Sequence, residues 1–248
     1  MYPLLIANIK MVFRDKQSIF WAVIFPIIFL GIFRIVSFES YIPLPGITFF
    51  EFVAPGIIGM GLLSFNVIGL AGSLSRYREE GVLRRLRATP LKPWKFSISV
   101  ICAHLLIAFI QVFVLLVVTY ILGVDLISYG LVRFVFVAML GTFIFLNLGA
   151  IVAQYVHGRG AVESAANAIT LPMMFLSGSF FPTSQLPQVV QWVVEVFPLT
   201  HMLRALRSIG LDKDPLDQQV FAIIILIIWC IFSFIFARSI YRLQDSRI

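Results

Sequence analysis

The chain has 248 residues, 60% of them hydrophobic and 12% charged, with a mean hydropathy of +0.99. A soluble domain is closer to half apolar and a quarter charged, so this chain has too little polar surface to cover a water-facing exterior. Its net charge of +7 does not point to nucleic acid, because Lys and Arg sit in short clusters between apolar runs, without a basic stripe interleaved with aromatics.

Residues 2–16 (YPLLIANIKMVFRDK) mix apolar and basic positions and end where the first long apolar run begins. That pattern predicts a helix lying along a membrane interface. Lys10, Arg14 and Lys16 ahead of an apolar stretch resemble a secretory leader, but no small-x-small cleavage site follows and the run reaches Arg34 and Glu39. It reads as a retained first span.

Charge-free windows then recur at 17–33, 52–75, 96–124, 134–158, 164–194 and 218–237, with lengths of 17, 24, 29, 25, 31 and 20 residues. A hydrocarbon core of about 30 Å needs about 20 helical residues, so each window holds one span and none holds two. Barrel strands would alternate in ten-residue segments, and these runs are apolar on every side. The expected fold is an all-α integral membrane bundle. Its six transmembrane helices fall at about 18–38, 52–74, 97–122, 132–155, 163–181 and 218–238, with Arg34 snorkelling to lengthen the first. With the N-terminus inside, inner segments carry 14 of the 19 Lys and Arg and outer segments carry 5, so both termini are expected in the cytoplasm.

Two connections do more than link spans. Residues 75–95 (SRYREEGVLRRLRATPLKPWK) predict an amphipathic cytoplasmic helix over about 76–88, capped by Ser75 and ended by Thr89-Pro90. Its strip of Val82, Leu83 and Leu86 among charges of both signs suits either lipid headgroups or a groove on a soluble partner. Residues 181–209 are cut by Pro182, Pro187 and Pro198 into pieces too short to cross. They predict a re-entrant or interfacial helical pair on the outer side.

The run Arg78-Glu79-Glu80-Gly81-Val82-Leu83-Arg84-Arg85-Leu86-Arg87-Ala88-Thr89-Pro90-Leu91 resembles the coupling-helix signature of permeases in type-2 ATP-binding cassette (ABC) exporters. Leu176-Ser177-Gly178-Ser179-Phe180-Phe181-Pro182, with Leu186-Pro187, Trp192, Pro198-Leu199-Thr200 and Ala205-Leu206-Arg207, is similar to that family's fifth-span exit and outer re-entrant segment. The resemblance covers nearly the whole chain, residues 1–248 forming one transmembrane domain. It implies a permease in the cell membrane of a prokaryote, paired with a second permease (an identical copy being the expectation) and with two ABC ATPase subunits. Arg78, Glu79, Glu80, Gly81, Leu83, Arg84 and Leu86 would be the ATPase-docking residues. Cargo would move outward through the dimer interface, along spans two and five. That makes Asn66, Asn167, Thr170 and Ser177 the candidate path residues.

The remaining chemistry is read by what is missing. No GxxxxGK[ST] phosphate loop occurs, so the chain is not expected to be an enzyme or to bind a cofactor itself; ATP and magnesium would sit on the partner ATPase. His104, His157 and His201 lie in different segments and share no metal-ligand spacing. Cys102 and Cys230 fall inside apolar runs and behave as small hydrophobes. Ser177-Gly178-Ser179 reads as helix packing rather than a serine nucleophile, which would need a histidine base on a neighbouring span. No Asp or Glu lies inside a window, which disfavours the alternative of an ATP-independent carrier or channel. Twenty-five phenylalanines predict an apolar path wall, suited to an amphipathic or lipid-like cargo.

Overall fold

Apolar segments without water to solvate their backbone satisfy it internally, as helices, and in the computed structural model every element among the described residues is helical. The structure describes residues 2–14, 19–36, 47–82, 85, 93–126, 128, 130–211 and 216–243. Helix α1 is Tyr2–Arg14 and α2 is Phe25–Val36, the latter entered through a π-helical turn at Phe20–Ile24. Then come α3 (Phe49–Ser64), a second π-helical turn (Phe65–Gly69) and α4 (Leu70–Glu79), which run on as one helix. They are followed by α5 (Pro93–Ile121), α6 (Leu131–Tyr155) and α7 (Arg159–Leu176). After a 3-10 turn at Thr183–Gln185 come α8 (Gln188–Val194), α9 (Pro198–Leu211) and α10 (Leu216–Leu243).

Among the described residues, four helical stretches are long and apolar enough to cross a membrane: Phe49–Glu79, Ile98–Ile121, Leu131–Tyr155 and Val220–Ala237. They match four of the six expected windows. The first expected span is represented by the shorter apolar helix Ala22–Val36; residues 18, 37 and 38 lie outside the described ones. The fifth window also differs from expectation. Helix α7 carries Glu163 near its start, ends at Leu176 rather than near 181, and gives way to a turn at Gly178, where φ is +83°.

The α3–α4 helix is the centre of the bundle, packed by α2, α6, α7 and α9, and its apolar window is 78% buried against 22% for that of α10. Its start is set by a capping box. The Thr48 N–H donates to Glu51 Oε2 at 2.7 Å and the Glu51 N–H returns to Thr48 Oγ1 at 3.3 Å. Mid-helix, at the π-turn, Asn66 Nδ2 donates to the Leu62 oxygen at 2.7 Å, which also accepts from the Phe65 N–H. Helix α6 approaches this turn at Gly149, where a Cβ would stand 2.8 Å from the carbonyl oxygens of Asn66 and Val67. Gly149→Ala is therefore expected to push α6 off the turn at a cost of about 1–3 kcal/mol, read as a lower denaturation midpoint of the purified chain.

Some polar residues inside apolar helices tie neighbours together. Asn147 donates to Ser233 Oγ at 3.1 Å, joining α6 to α10, and Asn8 donates to Ser99 Oγ at 2.7 Å, joining α1 to α5. Tyr77 adds a hydroxyl contact to Asn8 Oδ1 at 3.4 Å and an edge-on ring contact to Phe96. The N-terminal segment is thus an ordered helix, seated beside the end of α4.

Candidate functional site

A groove of about 720 Å³ opens between α2, the α3–α4 helix and α7. One flank is aromatic because Phe25, Phe29 and Phe33 recur every fourth residue and so share one face of α2. Their ring centroids are spaced at 4.4 and 6.0 Å, and the row continues from Phe33 to Phe49 at 6.0 Å and to Phe180 at 5.4 Å. Phe175 and Phe181 complete the wall at the α9 end.

The α4 end is polar. Arg76 on α4 and Glu163 on α7 both line it, both half-buried, with Asn167 and Thr170 following along α7. Gly69 and Gly72 leave the facing wall bare, and a Cβ at Gly72 would sit 3.9 Å from Glu163 Oε1. Ser64 reaches the groove midway, its hydroxyl 3.5 Å from the Met174 sulfur.

Two of the four expected path residues, Asn167 and Thr170, are in this lining. Thr170 Oγ1 donates back to the Ala166 carbonyl at 3.0 Å. Asn66 and Ser177 are not: both are buried in the helix packing, and Asn66 Oδ1 and Ser177 Oγ have no hydrogen-bond partner among the described residues. Conversely, Arg76 and Glu163, charges at the edges of their windows, do line the groove. Their spacing from groove-facing neighbours was the available signal, since Arg76 lies one helical turn from Gly72 and Glu163 one turn from Asn167.

The expected docking segment also differs in its local structure. Ser75 is buried within the helix rather than capping one, and Arg76 to Glu79 are the last turn of α4. Half-buried Arg78 donates to the Ala153 carbonyl of α6 at 2.7 Å. Glu79 and Glu80 are exposed, and the chain turns at Gly81, where φ is +67°. A new helical turn opens there, Arg85 N–H donating to the Gly81 oxygen at 3.1 Å. Leu83, Arg84 and Leu86 lie outside the described residues.

The far end of the groove is held by α9. Arg207 stacks its guanidinium 3.7 Å from the Phe52 ring centroid and donates through Nε to the Phe52 carbonyl at 3.0 Å. Its Nη2 donates to the carbonyls of Gly178 at 2.6 Å and Ser179 at 3.3 Å. One side chain thereby joins α9, the first turn of α3 and the turn that presents Phe180. Burial, helped by the nearby Arg204 charge, lowers this guanidinium to about 9, which leaves it protonated at neutral pH. On the same helix Arg204 grips both carboxylate oxygens of Glu195, the bond to Oε2 being 2.8 Å. That hydrogen bonding holds the Glu195 carboxyl below its ordinary range. His201 Nε2 lies 2.8 Å from the Glu195 carbonyl. Among the described residues no group of His, Cys, Asp and Glu is placed to hold a metal ion.

Residues 2–211 match the ABC-2 type transporter domain. The chain belongs to the ABC-2 type transporter family. It is a membrane protein, related to ABC transporter permeases. Similar proteins include ABC transporter G family member 20 of Dictyostelium discoideum, 24% identical over 82% of this chain and 28% of that protein. Nodulation protein J of Sinorhizobium fredii is 35% identical over 29% of this chain and 27% of that protein. The probable multidrug ABC transporter permease YbhR of Escherichia coli K12 is 23% identical over 70% of this chain and 47% of that protein. The ABC-2 chain thus spans less than half the length of each of these curated relatives.

Proposed function

We propose that this ABC-2 chain is the membrane permease subunit of an ATP-driven exporter, with the groove between α2, α3–α4 and α7 as its share of the cargo path. The observation that carries the reading is the groove itself, which joins the helices of spans one, two and five in a chain of this family. In this reading α2 and α7 complete a six-span bundle with both termini in the cytoplasm of a prokaryote. The polar end of the groove then faces inward and α8–α9 lie outward. A second copy closes the groove across a dimer interface. Two ATPase subunits dock on the segment after α4, with Glu79, Glu80 and Gly81 at its exposed turn, and carry the ATP and magnesium that this chain does not bind. The cargo is an amphipathic or lipid-like molecule, supported by the phenylalanine wall and by the word multidrug in the name of the E. coli relative.

A carrier that works without ATP is the second reading, favoured by one observation, Glu163 in the groove. Co-expression with a partner ATPase separates the two. The purified chain alone is expected to hydrolyse no ATP, and the co-purified complex to hydrolyse ATP and to accumulate amphiphile in inside-out vesicles only when ATP is supplied. ATP-independent uptake that follows a proton or sodium gradient would replace the exporter with the carrier.

A further inference from the structure

Helix α1 has two unlike faces. On one, Asn8 and Val12 are buried. Asn8 is held from both sides, its Nδ2 donating to Ser99 Oγ of α5 at 2.7 Å and its Oδ1 accepting from the Tyr77 hydroxyl of α4 at 3.4 Å. The other face exposes Ala7, Lys10, Met11 and Arg14, which recur at three- and four-residue steps and so share one side of the helix. Met11 is 48% exposed there. Neither Lys10 nor Arg14 makes a hydrogen bond or ion pair with another described residue. Helix α1 contains no Asp or Glu to offset them, and the next two residues, Asp15 and Lys16, add no net charge. Like charges four residues apart are adjacent on a helix surface and disfavour it until an anion lies between them.

We infer that the exposed face of α1 is a site for the phosphate of anionic phospholipids, with Lys10 and Arg14 as its two cations. The guanidinium of Arg14 grips phosphate oxygens through paired N–H groups, and the Lys10 ammonium adds a point charge one turn away. Met11 and Ala7 lie beside them, so the same face meets the boundary between head groups and acyl chains. The buried face fixes α1 to α4 and α5, which holds both cations in place against the bundle. Little ordering is left for binding. A protein partner suits this face less well. The segment after α4 offers a partner charges of both signs, Arg78 beside Glu79 and Glu80, whereas the face of α1 offers one sign among apolar neighbours. The inference goes beyond the export reading and needs neither ATP nor an ATPase.

The test uses the full chain with Cys102 and Cys230 replaced by alanine and a bimane fluorophore on Ala7→Cys, which reports on this face alone. The protein is placed in nanodiscs of equal parts phosphatidylglycerol and phosphatidylcholine, with bromine on the acyl chains of one lipid or the other. Quenching by each brominated lipid gives their relative affinity for the lipid position beside α1. Phosphatidylglycerol is expected to be preferred about tenfold at low salt, and the preference to fall toward one at 0.5 M salt. Lys10→Gln combined with Arg14→Gln should abolish it, while Lys10→Arg combined with Arg14→Lys should keep it. The conservative pair guards against a mere folding defect, as does an unchanged denaturation midpoint of the Gln pair in phosphatidylcholine alone. Equal quenching by the two lipids in the parent protein, or a preference that survives the Gln pair, would overturn the lipid site. So would failure of the Gln pair to bind a partner ATPase in phosphatidylcholine discs, because the face would then belong to the protein partner.

Discussion

Arg207→Ala is expected to lose about 3 kcal/mol of folding stability and to loosen α9 from the rest of the bundle. The alanine leaves the carbonyls of Phe52, Gly178 and Ser179 without their donor, and each such buried group costs about 1 kcal/mol or more. It also removes the cation from the face of the Phe52 ring. Arg207→Lys should recover part of the loss and no more, since an ammonium is a point donor and cannot straddle three acceptors in the plane of a guanidinium. Chemical denaturation of the purified chain reads both values. A wild-type midpoint for Arg207→Ala would mean that the clamp contributes nothing. The turn it holds presents Phe180 to the groove, so loss of the clamp should also raise the reactivity of a cysteine placed at Ser179, now buried, toward a water-soluble thiol reagent.

The second large effect is expected at the proposed ATPase-docking segment. If Val82, Leu83 and Leu86 pack into a groove on the ATPase, Leu83→Asp buries an unpaired carboxylate there. The cost is about 3 kcal/mol, roughly a hundredfold in affinity. Glu80→Ala, at an exposed position, should cost about 1 kcal/mol or less. Pull-down of the ATPase against membrane abundance of the permease separates docking from insertion. Leu83→Asp that retains both partner binding and transport would leave the segment as a basic loop facing lipid headgroups.

Length and charge alone located the central helix, α5, α6 and α10, because the distance between charges tracks where hydrocarbon ends. The three prolines at 182, 187 and 198 likewise announced the broken α8–α9 region. What stayed hidden depends on which way a residue faces. Arg76 and Glu163 flank their windows, and a count along the chain assigns them to the loops; only the packing of α4 against α7 turns them into the groove. Arg207 reads as one of several outer cations until the tertiary fold brings three carbonyls around it. The π-turn at Phe65–Gly69 has no signature of its own either, and the close approach of Gly149 to it joins residues far apart in the chain. Asn66 was singled out as a path residue and proved to be part of that turn. Continuation of α4 to Glu79 was missed for a related reason. Ser75 and Arg76 are polar enough to look like a helix start, but burial against α6 and α7 carries the helix through them.

The central claim is that cargo passes along the groove, and Asn167 is the residue at which to measure it. In a chain with Cys102 and Cys230 replaced by alanine, Asn167→Cys places a thiol in the lining. Reaction with a methanethiosulfonate reagent is expected to stop ATP-driven accumulation while the ATPase stays bound, and excess amphiphile is expected to slow the reaction. Full modification of that cysteine with transport undiminished would contradict the account, because it would mean that cargo takes another route through the membrane.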